Sequence, residues 1–143
     1  MSEIRGPVKE LEFSDDLHTD DVEPLKAFLS ARLGELVRQH PEGSAEHFAA
    51  VRLSEVTRAD CIYLSDIAGM WGDFVVAGRG GDPGLVQWLR QNVAQWWNRL
   101  CGTASRFSDH ADYNPRWRRL ESMCAEHAAI EEALALERAR RSS

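Results

Sequence analysis

The chain has 143 residues, of which 43% are hydrophobic and 28% charged, with five prolines and ten glycines. This composition excludes a collagen, a coiled-coil rod and a wholly disordered chain, and it suffices for one domain with a core. Seventeen basic against twenty-three acidic residues leave a net charge of −6, the wrong sign for a general nucleic-acid binder.

No apolar run approaches the roughly 18 residues that a membrane helix needs, and residues 1–7 are too polar for a secretory signal, so no membrane contact is expected. Cys61, Cys101 and Cys124 are odd in number and far apart. A disulfide framework is therefore not expected, and the reading is of a reducing, cytoplasmic setting.

The charge is concentrated near the start. Residues 10–23 hold seven acids and no Lys or Arg; through Asp60 there are thirteen acids against seven bases, and the remainder balances. Residues 1–19 thus read as an acidic arm, flexible in the simplest view, ahead of a helical domain over 20–143. Leu11, Phe13 and Leu17 interrupt the acids. The arm either feeds negative charge into a helix N-terminus or is a ligand segment for a basic partner, anchored by those apolar residues.

The first helix is expected to begin at about Asp20–Pro24, with acids and proline in its opening turn. Val22, Leu25, Leu29, Leu33, Leu36 and Val37 share one arc, and Pro41 ends it. Ser44 is an N-cap for a second helix without Gly or Pro until Gly69. Ala49, Leu53, Val56, Leu64, Ile67 and Trp71 fall on one side, with Phe48, Val51 and Ile62 on another, a pattern that predicts a central, buried helix. Over 58–77 periodicity leaves helix and strand open; helix is favoured for Cys61–Leu64 and an extended connector for Phe74–Val76.

Asp82 and Pro83 open a third helix as N-cap and first helical residue. Leu85, Leu89, Val93, Trp96 and Leu100 form its stripe, widened by Val86 and Trp97, and Gly102 is expected to cap its end. A polar loop follows from Thr103 to Asn114. Pro115 is expected to start the last helix, with Trp117, Leu120, Met123, Cys124, His127, Ile130 and Leu134 on one arc and arginines at its end. The fold expected is all-α: four main helices, bundle-like, with no extended sheet.

Candidate sites are few. The glycine loop from Gly78 to Gly84 leads into a helix, but it lacks the Lys-Ser/Thr of a phosphate-binding loop, so it reads as a flexible turn. Cys124 and His127 lie three apart on one helix and could share a metal with Cys101 and His110, although the spacing is not that of a zinc finger. The plainer reading makes His127 a hydrogen-bonded core histidine. No nucleophile–base pair or repeated Glu-x-x-His motif assembles, so neither an enzyme nor a bound cofactor is the expectation.

Trp88 projects about 60° outside the third helix's stripe, so it packs under the acidic arm or faces a partner. The segment from Asp109 to Arg118 (DHADYNPRWR) resembles the His-Pro-Asp-Tyr, then Trp-Arg, stretch of small uncharacterised actinobacterial and actinophage proteins, with Ala111 in place of the proline. Those proteins also have an early helix similar to Ala27–Leu33. The resemblance covers about a dozen residues and implies no activity; physically the segment is an Asp/Asn turn anchored by Tyr113 and Trp117.

The functional expectation is a non-enzymatic interaction module of adaptor, inhibitor or immunity type, from a bacterium or phage. Asp15, Asp16, Asp20, Asp21 and Trp88 would meet a protein partner with a basic surface. A metal-binding protein using Cys101, His110, Cys124 and His127, and a DNA-mimicking inhibitor, are the alternatives. Homo-oligomerisation is left open.

Overall fold

A computed structural model of the chain describes residues 11–73, 82–122 and 125–142, of which 125–129 by their backbone only. Four α-helices account for most of it: α1 (Thr19–Arg38), α2 (Ala45–Trp71), α3 (Pro83–Ala104) and α4 (Ala125–Ser142). Short 3-10 turns at Ser14–Asp16 and Ser105–Phe107 flank α1 and α3. Among the described residues there is no strand beyond one isolated bridge, so the all-α, four-helix expectation holds. None of the described helices is long and apolar enough to cross a membrane.

The punctuation residues act as chemistry requires. Ser44 Oγ accepts from the His47 amide at 3.1 Å, and Asp82 Oδ1 accepts from the Gly84 amide at 2.9 Å, each satisfying an otherwise orphaned helix donor. Gly43 takes φ 87°, a left-handed conformation that favours glycine, and lets the chain reverse between α1 and α2. Two boundaries differ from expectation. α1 starts at Thr19, which puts Pro24 inside the helix rather than at its start. α3 runs past Gly102 to Ala104 and into the 3-10 turn, so Gly102 caps nothing.

α1, α2 and α3 pack around one core. Val22, Leu25 and Leu29 from α1 meet Cys61, Leu64, Ile67 and Trp71 from α2 and Leu89, Val93, Trp97 and Leu100 from α3. α2 is not buried on two sides. Its inward stripe runs through Ala50, Thr57, Cys61, Leu64, Ala68 and Trp71, while Phe48, Leu53, Val56 and Ile62 stay 42–63% exposed. The helix lies on the rim of the core, and its second apolar face looks outward.

The largest departure concerns the last helix. Residues 117–120 are not helical, and α4 begins only at Ala125. α3 supplies the reason. The Asn98 side chain accepts from the Leu120 amide at 2.6 Å and donates to the Leu120 carbonyl at 2.9 Å, and Trp97 Nε1 donates to the Arg118 carbonyl at 2.9 Å. A helix through this segment would forfeit those bonds. Trp117 and Leu120 still reach the core, both over 90% buried, but from a non-helical strap. Met123 and Cys124, and the side chain of His127, lie outside the described residues, as do Phe74–Val76 and Gly78–Gly81.

The same strap holds the N-terminal segment. Glu121 donates its amide to the Glu12 carbonyl at 3.0 Å and accepts from the Ser14 amide at 2.9 Å, a parallel bridge and the single one among the described residues. Leu11 and Leu17 are buried in the common core. From residue 11 onward, therefore, the acidic segment is part of the domain rather than an arm ahead of it. Apolar burial decided this, since Leu11 and Leu17 gain about 1.5–3 kcal/mol each by leaving water.

Replacing Asn98 with Ala should strand the Leu120 amide and carbonyl and cost about 2–3 kcal/mol. Urea denaturation followed by tryptophan fluorescence will measure it; a loss below about 0.5 kcal/mol would mean the strap does not depend on this amide.

Candidate functional site

The aspartates expected to meet a partner are placed first by their local backbone. Asp16 Oδ2 accepts from the Phe13 amide at 3.1 Å and closes the Ser14–Asp16 turn. Asp21 Oδ2 accepts from the His18 amide at 2.9 Å and caps the start of α1. These are the bonds that Asp forms best, three residues ahead of its own position. The acid-rich sequence is in part a pair of consecutive capping motifs.

Two of the four then find arginines far away in sequence. Arg90 on α3 grips Asp15 with two bonds, Nε to Oδ1 at 3.0 Å and Nη2 to Oδ2 at 3.2 Å, and its guanidinium stacks over Trp71 at 5.4 Å. Arg116 pairs with Asp21, the latter's side chain only 12% exposed. Both pairs are partly shielded from water, so they hold more firmly than surface ion pairs. Asp20 lies outward on the first turn of α1, and Trp88 is 44% exposed on α3. The structure thus leaves Asp20 and Trp88 facing solvent and turns Asp15, Asp16 and Asp21 toward bonds within the chain.

Of the four proposed metal ligands, Cys101 and His110 are described, while Cys124 and the side chain of His127 lie outside the described residues. Cys101 is buried in the core, where loss of hydration pushes its thiol up to about 12. His110 sits on the Asp/Asn turn, its Nδ1 accepting from the Asp112 amide at 3.0 Å and its ring edge-on to Phe28 at 5.9 Å. Among the described residues no group of three or more His, Cys, Asp or Glu could hold a metal ion. Cys61 is likewise buried and free, its thiol raised to about 11 mainly by burial. Both thiols are neutral at physiological pH and are poor nucleophiles and poor ligands.

The cavities are shallow. One, about 550 Å³, runs between α3 and the strap and is lined by Gln91, Gln95, Asn98, Arg99, Arg119, Glu121 and Ser122. It offers amides, guanidinium groups, the Glu121 carboxylate and the Ser122 hydroxyl. A second, about 330 Å³, lies beside Phe28, Arg32, Asn114 and Trp117. Arg32 is 92% buried and pairs with Glu35 through Nη2 at 3.2 Å; its Nε and Nη1 are buried without a partner and shielded from solvent. They therefore present no surface to a ligand. Around this cavity Phe28 gathers Phe107, Tyr113 and Trp117 edge-on or tilted at 4.9–6.4 Å, so Tyr113 and Trp117 are packing anchors as expected.

Sequence reasoning missed the outward apolar surface. Ile130, Leu134 and Leu136 on α4 are 55%, 50% and 66% exposed, and from Ile130 to Ser142 none of the described residues is buried. The signal was available in part, since Ile130, Leu134 and Leu136 are the large aliphatic residues of a helix otherwise made mostly of Ala, Glu and Arg.

The carboxylates separate by role in stability. Asp15→Asn and Asp21→Asn should each cost about 1–2 kcal/mol by loosening a partly buried pair, whereas Asp20→Asn should stay within about 0.5 kcal/mol of the parent. Thermal melts of the three variants measure this; equal effects would contradict the pairing.

Comparison with protein families, with curated proteins and with solved structures finds no match for this chain.

Proposed function

We propose that the protein is a protein-interaction module that docks through α4, and that the helices behind it form the scaffold. One observation carries this reading: α4 spans 18 residues, yet from Ile130 onward it buries none of the described side chains while displaying three large aliphatic ones. A lone helix of this length is marginal in water and draws its stability from a covered apolar face. An apolar groove on a partner would receive Ile130 and Leu134, adjacent on one edge of the helix, in the helix-in-groove mode.

Charge supports a basic partner. Glu131 and Glu137 flank the aliphatic edge at 100° per residue, and Asp20 and Glu23 face solvent on α1. Exposed acids of this kind add association rate and salt sensitivity more than affinity. A DNA-mimic reading needs several carboxylates side by side and outward, and Asp15, Asp16 and Asp21 are engaged in bonds within the chain. A bacterial or phage adaptor, inhibitor or immunity protein remains the class proposed, acting without chemistry of its own.

The test uses the full chain and its Ile130→Glu/Leu134→Glu variant as baits in cross-linked extracts of the native cell. Because neither side chain is buried, the variant should melt within a degree or two of the parent while losing a protein that the parent retains. Identical sets of bound proteins, or a variant whose core unfolds, would overturn the reading.

A further inference from the structure

The outward face of α2 carries a pattern that neither the core nor the α4 reading uses. At 100° per residue, Phe48, Arg52, Ala59, Asp66 and Met70 fall within an arc of about 40°, all of them exposed. Their order is symmetric about Ala59. Arg52 and Asp66 stand seven residues before and after it, and Phe48 and Met70 stand eleven before and after. Val56 and Ile62, 54% and 46% exposed, stand three before and three after, on the two flanks of the same face. Opposite charges at Arg52 and Asp66, and apolar groups at Phe48 and Met70 and at Val56 and Ile62, are thus mirrored around one small residue. Glu55 and Tyr63, four before and four after it, are unlike, Tyr63 packing edge-on to Trp96 of its own chain.

We propose that this face is a self-association surface on which α2 pairs antiparallel with α2 of a second copy, about a twofold axis at Ala59. A twofold contact is isologous, so each residue before Ala59 meets the residue equally far after it on the other copy. Arg52 of each chain then lies opposite Asp66 of the other, twice. Phe48 meets Met70, a thioether against an aromatic ring. Val56 meets Ile62, and the two Ala59 methyl groups allow the helices to approach closely at the axis. Parallel pairing would set Arg52 against Arg52 and Asp66 against Asp66, so the charges select the antiparallel form.

The contact from Phe48 to Met70 is 23 residues, about 33 Å of helix at 1.5 Å per residue. Apolar burial along it supplies the attraction, and the ion pairs supply direction and register. Arg52 bonds Glu55 on its own helix at 3.1 Å and lies over Phe48 at 5.4 Å. That exposed i,i+3 pair is weak enough to be exchanged for Asp66 of the second copy.

Sedimentation equilibrium of the full chain tests the proposal by charge exchange. The parent should form a dimer, Arg52→Asp should weaken self-association by about tenfold or more because two like-charge contacts arise at once, and adding Asp66→Arg should restore it. All three chains should give the same far-ultraviolet circular dichroism, since both side chains face outward. Independently, Ala59→Cys in a Cys124→Ser background should form an intermolecular disulfide on mild oxidation, Cys61 and Cys101 being buried. A chain that stays monomeric to millimolar concentration, a dimer indifferent to Arg52→Asp, or an Ala59→Cys chain that forms no intermolecular disulfide on oxidation would overturn it.

Discussion

The amide of Asn98 is the small contact on which the rest depends. A segment outside any helix carries one donor and one acceptor per residue that the rest of the fold must satisfy. Asn98 offers both complements from one side chain, and Leu120 takes both. With Leu120 fixed, Glu121 is aligned to bridge Glu12 and Ser14. That bridge seats Leu11 and Leu17 in the core and sets Asp15 beside Arg90. One amide on α3 thereby orders both the strap and the N-terminal segment, while α1 and α2 need only the hydrophobic contact between them.

The distribution of charge follows from the same arrangement. Acids crowded into residues 10–23 repel one another in an unfolded chain. In the folded chain the described ones divide their work between closing turns, pairing with Arg90 and Arg116, and facing solvent. Net charge alone could not distinguish these roles, because capping and pairing depend on where a carboxylate lies in a turn and on what the fold brings beside it.

What was legible in the sequence was whatever local chemistry decides. Ser44, Asp82 and Pro83 mark helix starts by satisfying or lacking specific backbone donors, and the stripe of α3 is narrow enough to have one meaning. The pattern of α2 was not, since apolar residues on two sides suit a buried helix and a helix with a second, outward-facing partner surface equally well. The run from Trp117 to Leu134 misled for a different reason. Trp117 and Leu120 are needed in the core whether the backbone is helical or not, and the choice was made by Asn98, nineteen and twenty-two residues away. The aspartate site was half legible: capping by Asp16 and Asp21 is local, whereas Arg90 and Arg116 become neighbours only once the strap is in place.

The resulting molecule is uneven in a way that matters for function. Its interior is closed by long-range contacts, and its apolar excess lies on the outward faces of α2 and α4. Regions with few buried contacts open most readily, so local stability reports this division directly. Native-state hydrogen exchange at low protein concentration is the decisive measurement. The account predicts that the amides of Leu120, Glu121 and Ser14 are protected nearly as well as those of Leu89 to Leu100, while those of Ile130 to Arg141 exchange orders of magnitude faster. Protection of α4 equal to that of α3, or free exchange at Leu120 and Glu121, would contradict it.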